Sequence, residues 1–203
     1  MGIAQRAMTL RASRKLASTF YPSAAIKCIG LRRYRSQSAR DVACLLDVNP
    51  SITAWKCMPT AFDCAGQPHV PDFEIFNVEG GSTFVDAPDR RGASYAPTVE
   101  AAVKANNGRY HPLANEEVYS GYRLRNAKDL LRYGDHITPL GDRLRLLAGL
   151  DEHGSLPFSE CLAAFQETRA VAGMASLILH GFIEVDLDEA PIGPETLVRR
   201  IPR

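Results

Sequence analysis

Pro71-Asp72-Phe73 opens one β-rich run and Val85-Asp86-Ala87-Pro88 closes the next, which sets two carboxylates at the ends of consecutive strands. That placement suits metal-dependent hydrolysis of a phosphodiester. Hard cations such as Mg²⁺ are held by clustered carboxylate oxygens, and a nearby Lys orients water and offsets charge on the phosphate. An economical layout puts an Asp at the start of one strand and an acid-x-Lys on the next, because residues i and i+2 face one side of a sheet. A helix upstream contributes a further Glu. Asp72 and Asp86 are therefore the candidate catalytic and metal-ligating acids, although an Asp after Pro also serves simply to shape a strand entry. The candidate cation is Lys104 on the following helix, four residues after Glu100, where a surface ion pair is the plainer reading. His69 and His111 have metal-compatible rings but read as surface or hydrogen-bonded groups. Trp55, between Ile52 and Met58, reads as core.

The elements that must position these residues follow from periodicity. Segment 36–48 places Val42, Leu45 and Leu46 at helical spacing, with Ser36 or Ser38 as cap, and Asn49-Pro50-Ser51 stops it. Strands are expected over Ile52–Phe62 (interrupted by Met58-Pro59), Val70–Asn77 and Ser82–Ala87, with Gly66 and Gly80-Gly81 as hairpin signals. A helix over 97–106, a short strand at 109–113 and an amphipathic helix over 121–133 complete an α/β body. From Thr138 the pattern becomes three helices, over 142–154 closed by Gly154, over 155–165, and over 168–181 closed by Gly181, and then two alternating strands. Three helices followed by a two-stranded wing is the order of a winged helix. The fold class expected is α/β: a mixed sheet with flanking helices, then a winged-helix domain.

Charge is unevenly spread although the net is only +1. Residues 1–40 hold nine Lys/Arg and no acid, whereas residues 137–203 hold six bases against ten acids. A basic arm on a mildly acidic body suits electrostatic attachment to a polyanion. Arg11, Arg14, Lys15, Arg32, Arg33 and Arg35 are the candidate DNA-binding residues. The same composition also suits a solvated tail or an organelle transit peptide. No apolar run approaches the ~20 residues of a membrane span, and a cytoplasmic protein without a membrane partner is expected. The five cysteines have no CxxC spacing, so buried thiols in a reducing compartment are expected and a zinc site is not. The expected division is an arm at 1–35, a nuclease-like domain at 36–136 and a winged helix at 137–203.

The order Tyr21-Pro22-Ser23, the helix ending at Asn49-Pro50-Ser51, Met58-Pro59, Pro71-Asp72-Phe73, Val85-Asp86-Ala87-Pro88 and Arg125-Asn126-Ala127 resembles the TnsA-type transposon endonucleases of the PD-(D/E)xK nuclease superfamily. The resemblance covers nearly the whole chain, including the C-terminal winged helix, and implies a restriction-endonuclease-like mixed sheet with flanking helices for the α/β body. It implies Mg²⁺-dependent cutting at transposon ends beside a DDE-type transposase. The departures fall on the chemistry. The family's helix Glu aligns with Ala39, and Asp41 lies roughly 200° around the helix from it. The family's Glu-x-Lys aligns with Val85 and Ala87, or with Asp86 and Pro88 one register on, and neither supplies a Lys. The resemblance therefore implies a catalytically inactive TnsA-like protein, a DNA-binding or partner-docking subunit of a transposition or regulatory complex, with no cofactor. The alternative is an active Mg²⁺-dependent endonuclease subunit whose site is rearranged around Asp72, Asp86 and Lys104. The presumed recognition helix, 169–180, offers Arg169, Ser176 and His180 among apolar or small residues. That composition favours docking a protein, such as the transposase, over reading DNA.

Overall fold

The computed structural model describes residues 20–90 and 96–202. Arg11, Arg14 and Lys15 lie outside the described residues. The first helix, α1 (Gln37–Val48), starts where Ser36 Oγ accepts the Ala39 N–H at 3.1 Å, and ends at Asn49 ahead of Pro50. Strand β1 (Ile52–Cys57) stops before Met58, whose φ of 44° turns the chain ahead of Pro59. The strand expected to continue to Phe62 is thus two elements. Phe62 belongs to a small hairpin, β2 (Phe62–Cys64) and β3 (Gln67–His69), turned by Ala65-Gly66. Strand β4 (Phe73–Asn77) begins later than expected, after Pro71, and β5 (Ser82–Asp86) follows the Gly80-Gly81 turn. Helix α2 (Ala96–Ala105) crosses to β6 (Arg109–Pro112).

These strands form one mixed sheet in the order β1-β4-β5-β6, antiparallel except for the parallel β5/β6 pair. Alternation along the strands gives the sheet two covered faces. Phe73, Ile75 and Val85 pack with Val42, Ala43 and Leu46 of α1 around Trp55, which is fully buried. Phe84, the neighbour of Val85, packs instead on Val99 and Val103 of α2 and on Phe62 and Cys64 of the hairpin. The body is mixed α/β with flanking helices.

Residues 20–35 do not form a free arm. Ile29 N–H donates to Trp55 O at 2.8 Å and Trp55 N–H to Lys27 O at 3.0 Å, so this segment lies alongside β1. Asp47 Oδ1 accepts Ile26 N–H, Lys27 N–H and the Trp55 indole, the last two at 2.9 Å. Arg40, 0% exposed, donates to Pro22 O at 2.8 Å and Ala24 O at 2.7 Å, beneath the Tyr34 ring. The boundary expected at residue 35 therefore cuts through packed structure.

Two further helices, α3 (Asn115–Tyr119) and α4 (Arg123–Leu131), lead to the C-terminal unit. That unit runs α5 (Leu140–His153), β7 (Ser155–Pro157), α6 (Phe158–Cys161) continued by a 3₁₀ turn, α7 (Ala170–Leu179), β8 (Ile183–Val185) and β9 (Leu197–Arg200). Residues 155–157, expected to open a helix, are a strand, so the sheet has three strands in the order β7-β9-β8. Met174 and Leu177 of α7 pack inward on Leu146, Leu150, Ile183 and Val198. On its other side, Ala175 and Leu179 pack on Ala127, Leu130 and Leu131 of α4, which also touch Cys44 of α1. Apart from Val171, which is 47% exposed, the large apolar side chains of α7 are thus covered from within the chain. Asn126 of α4, 2% exposed, donates to Leu187 O and Ala190 O at 2.9 and 2.8 Å and accepts Ile192 N–H at 3.0 Å.

The Arg40 contacts yield a test of the N-terminal packing. Two charge-assisted bonds to backbone carbonyls, lost together, cost about 3 kcal/mol. Arg40→Ala should lower the free energy of unfolding by that amount, read as a lower urea midpoint with little change in m-value. An unchanged midpoint would show that residues 20–35 add nothing to the fold.

Candidate functional site

The sheet brings Asp72 and Asp86 together. Phe73 pairs with Val85, so the two acids stand side by side at the strand ends. Asp72 N–H donates to Asp86 Oδ1 at 2.9 Å, and Ala87 N–H donates to Asp72 Oδ2 at 3.0 Å. Both side chains are buried, at 3% and 1% exposure.

Two carboxylates cannot be buried in contact without compensating positive charge. Here it comes from two arginines. Arg35 meets Asp72 as a fork, Nε to Oδ1 and Nη2 to Oδ2, both at 3.0 Å. The same guanidinium holds Asp89, Nη2 to Oδ1 at 2.6 Å and Nη1 to Oδ2 at 3.2 Å. Arg90 places Nε 3.3 Å from Asp86 Oδ1 and Nη2 3.8 Å from Asp72 Oδ1, and is anchored by a bond to Val70 O. The remaining Asp86 oxygen, Oδ2, accepts Tyr110 Oη–H at 2.6 Å and lies 2.7 Å from His69 Nε2. Tyr110 arrives on the parallel strand β6 and His69 on the hairpin, with their rings edge-to-face.

Titration follows from these contacts. Burial pushes the Asp86 carboxyl up, but His69, Tyr110, Arg90 and the Asp72 N–H outweigh it and hold it below its usual 3.8. Asp89, likewise opposed by burial, is lowered by Arg35. Burial disfavours the charged Arg35, and Asp72 and Asp89 more than reverse this, so its pKa is raised. Burial and the bond to Asp86 both raise the Tyr110 phenol.

Other residues singled out in the sequence lie elsewhere. Lys104 and Glu100 are exposed on α2, whose buried face is Val99 and Val103, and no ion pair joins Lys104 to either acid among the described residues. Ala39 is buried in the core, and Asp41 turns to α4, accepting Gln37 Nε2–H at 2.6 Å and pairing with Lys128 at 2.8 Å. His111 is exposed and meets Glu117 at 2.8 Å. Arg32 and Arg33 are exposed, Arg32 donating to Ser23 O at 2.7 Å. Arg35, expected on a DNA-binding arm, is instead committed to Asp72 and Asp89. Sequence reasoning missed Arg35, Arg90, Asp89, His69 and Tyr110 as members of the cluster. The one local signal was Arg90, four residues after Asp86.

A resident Mg²⁺ does not fit this arrangement. Each oxygen of Asp72 and Asp86 already accepts a donor, and the two guanidiniums occupy the approach with the charge a divalent ion would bring. Among the described residues no group of three or more His, Cys, Asp and Glu is arranged to hold a metal. Nor is any helix there long and apolar enough to cross a membrane. The chain matches no protein-family model and no curated protein.

The sign of the pH dependence is fixed by the depressed Asp86. Its contribution to stability is fully present above 3.8 and is lost as pH falls through the lower folded value. The urea midpoint should therefore fall as the solution is acidified from about pH 5 towards about pH 2, and the gap between wild type and Asp86→Asn should narrow with it. A gap independent of pH would mean that Asp86 is not held as a carboxylate.

Proposed function

We propose that this chain is a non-cleaving DNA-handling protein on a TnsA-like, nuclease-derived frame, acting as a binding or docking subunit of a transposition or regulatory complex. The observation that carries the reading is the pair of strand-end acids closed by Arg35 and Arg90. Their placement suits a phosphodiester hydrolase, and their arginine partners suit one that no longer cleaves. The helix–strand–strand–strand–helix–strand order, with the last pair parallel, supports a restriction-endonuclease-like body. The order of the C-terminal elements, with β9 between β7 and β8, supports a winged helix. In this reading α7 serves neither as a DNA reader nor as an open docking face, because α4 covers it. A protein partner such as a DDE-type transposase meets the unit elsewhere, and Glu184, Asp186, Glu189 and Glu195 around the wing favour a basic one.

Hydrolysis requires groups that act on charge developing at the phosphate, and losing one such donor commonly costs about 10²–10³ in rate. Supercoiled plasmid incubated with the protein in Mg²⁺ or Mn²⁺ should stay intact, with or without Lys104→Ala. Nicking that depends on Asp72 and Lys104 would replace this reading with an active, rearranged endonuclease.

DNA attachment is assigned to the N-terminal cations. Residues 1–19 hold Arg6, Arg11, Arg14 and Lys15. Deleting residues 2–19, rather than the packed 20–35, should reduce the slope of log affinity against log salt by about 3 to 4. Equal slopes for the two proteins, measured by anisotropy on a labelled duplex, would remove the arm from DNA binding.

A further inference from the structure

We infer that Cys28 and Cys57 are a paired-thiol oxidation site, closed to a disulfide by a hydroperoxide and reopened by a dithiol. Neither the Asp72–Asp86 cluster nor DNA takes part in this chemistry. Cys28 lies opposite Trp55 in a parallel bridge between residues 20–35 and β1. Residues opposite each other in a bridge point to one side, as do residues two apart along a strand. Cys57 is two residues beyond Trp55, so both thiols lie on the Trp55 side and pack against the cluster around that ring. There the Cys57 thiol donates to the Cys28 sulfur, and the Arg33 N–H holds the Cys57 sulfur in turn. The stretch 28–33 therefore presents one thiol to the other.

The two differ from the remaining cysteines. Cys44, Cys64 and Cys161 are buried, as the sequence suggests for all five, and burial pushes the Cys44 and Cys161 thiols up to about 11. Cys28 and Cys57 are half-buried, and Cys57 lines an open groove of about 480 Å³ beside Ile29, Leu31, Arg33 and Lys56. The bond from Cys57 holds the Cys28 thiol below its ordinary range although burial opposes it, so Cys28 is the attacking sulfur. The same bond, with burial, keeps Cys57 protonated. The Cys28 thiolate attacks the hydroperoxide: an S–O bond forms, the O–O bond breaks, and the leaving oxygen takes a proton. Cys57 then attacks the Cys28 sulfenic sulfur: the S–S bond forms, the S–O bond breaks, and hydroxide leaves as water with the Cys57 proton. Two thiols lose two electrons, and one hydroperoxide gains them. The link closes a loop of about thirty residues and staples to β1 the segment that carries Arg35.

The test exposes the folded full chain to hydrogen peroxide, then counts thiols after denaturation and maps the link by peptide mass. Two of the five thiols should disappear, the Cys28 and Cys57 peptides should be joined, and dithiothreitol should restore both. The linked protein should melt about 5–10 °C above the reduced one. Cys57→Ser should stop at a sulfenic acid on Cys28, trapped by dimedone, and Cys28→Ser should lose no thiol at the same dose. If either variant fails to fold, wild type oxidised in urea takes its place as the comparison and should give mixed links where the folded chain gives one. Thiol loss spread over all five cysteines, a link to another cysteine, or a Cys28–Cys57 link that leaves the melting temperature unchanged overturns the proposal.

Discussion

Burying Asp72 against Asp86 obliges the rest of the body to deliver hydrogen-bond donors and positive charge to one point. The parallel strand β6 brings Tyr110, the hairpin brings His69, the turn after β5 brings Asp89 and Arg90, and the segment before α1 brings Arg35. Only Asp89 and Arg90 share a stretch of chain. The cluster is thus a junction where four stretches must meet at the two acids. Such a network is stabilising only when complete, because an isolated buried carboxylate is far more costly than a paired one. This explains why residues 20–35 are fastened so thoroughly, through Asp47, Arg40 and the Trp55 backbone. The position of Arg35 depends on them.

The second constraint is the fate of α7. An amphipathic recognition helix keeps one face free. In α7, residues 172–177 are all buried, with Met174 and Leu177 turned to the core of its own unit and Ala175 and Leu179 turned to α4. Its high apolar content is the composition of a helix packed on two sides. The same composition, read from sequence, suggested an external partner. Within the chain, α4 covers the Ala175 and Leu179 side.

Local signals in the sequence were read well where a short stretch decides its own structure. Ser36 caps α1, Asn49-Pro50 ends it, and Phe73 and Ile75 face the core as alternation requires. The meeting of Asp72 and Asp86 was legible because hairpin-linked strands place their ends together. Short elements were not legible: β2, β3 and β7 have three residues each, too few to display a period, and Leu156-Pro157 was absorbed into a helical run. Least legible was Arg35, separated by 37 residues from Asp72. Nothing in its neighbours distinguishes it from Arg32 and Arg33, which are exposed. Net positive charge in residues 1–40 suggested a single role, whereas Arg35 and Arg40 are consumed inside the fold.

Asn126 links the two units through three bonds to the backbone between Leu187 and Ile192, and α4 lends apolar residues to the clusters on either side of it. A cut at the apparent boundary near residue 136 would sever the sequence at a place where the structure is not divided. The C-terminal fragment would expose the α4-facing side of α7, and the N-terminal fragment would leave an amide with nothing to bind. The unit is not a detachable module. Displacing the C-terminal unit would therefore also uncover α4 and, beside it, Cys44 of α1.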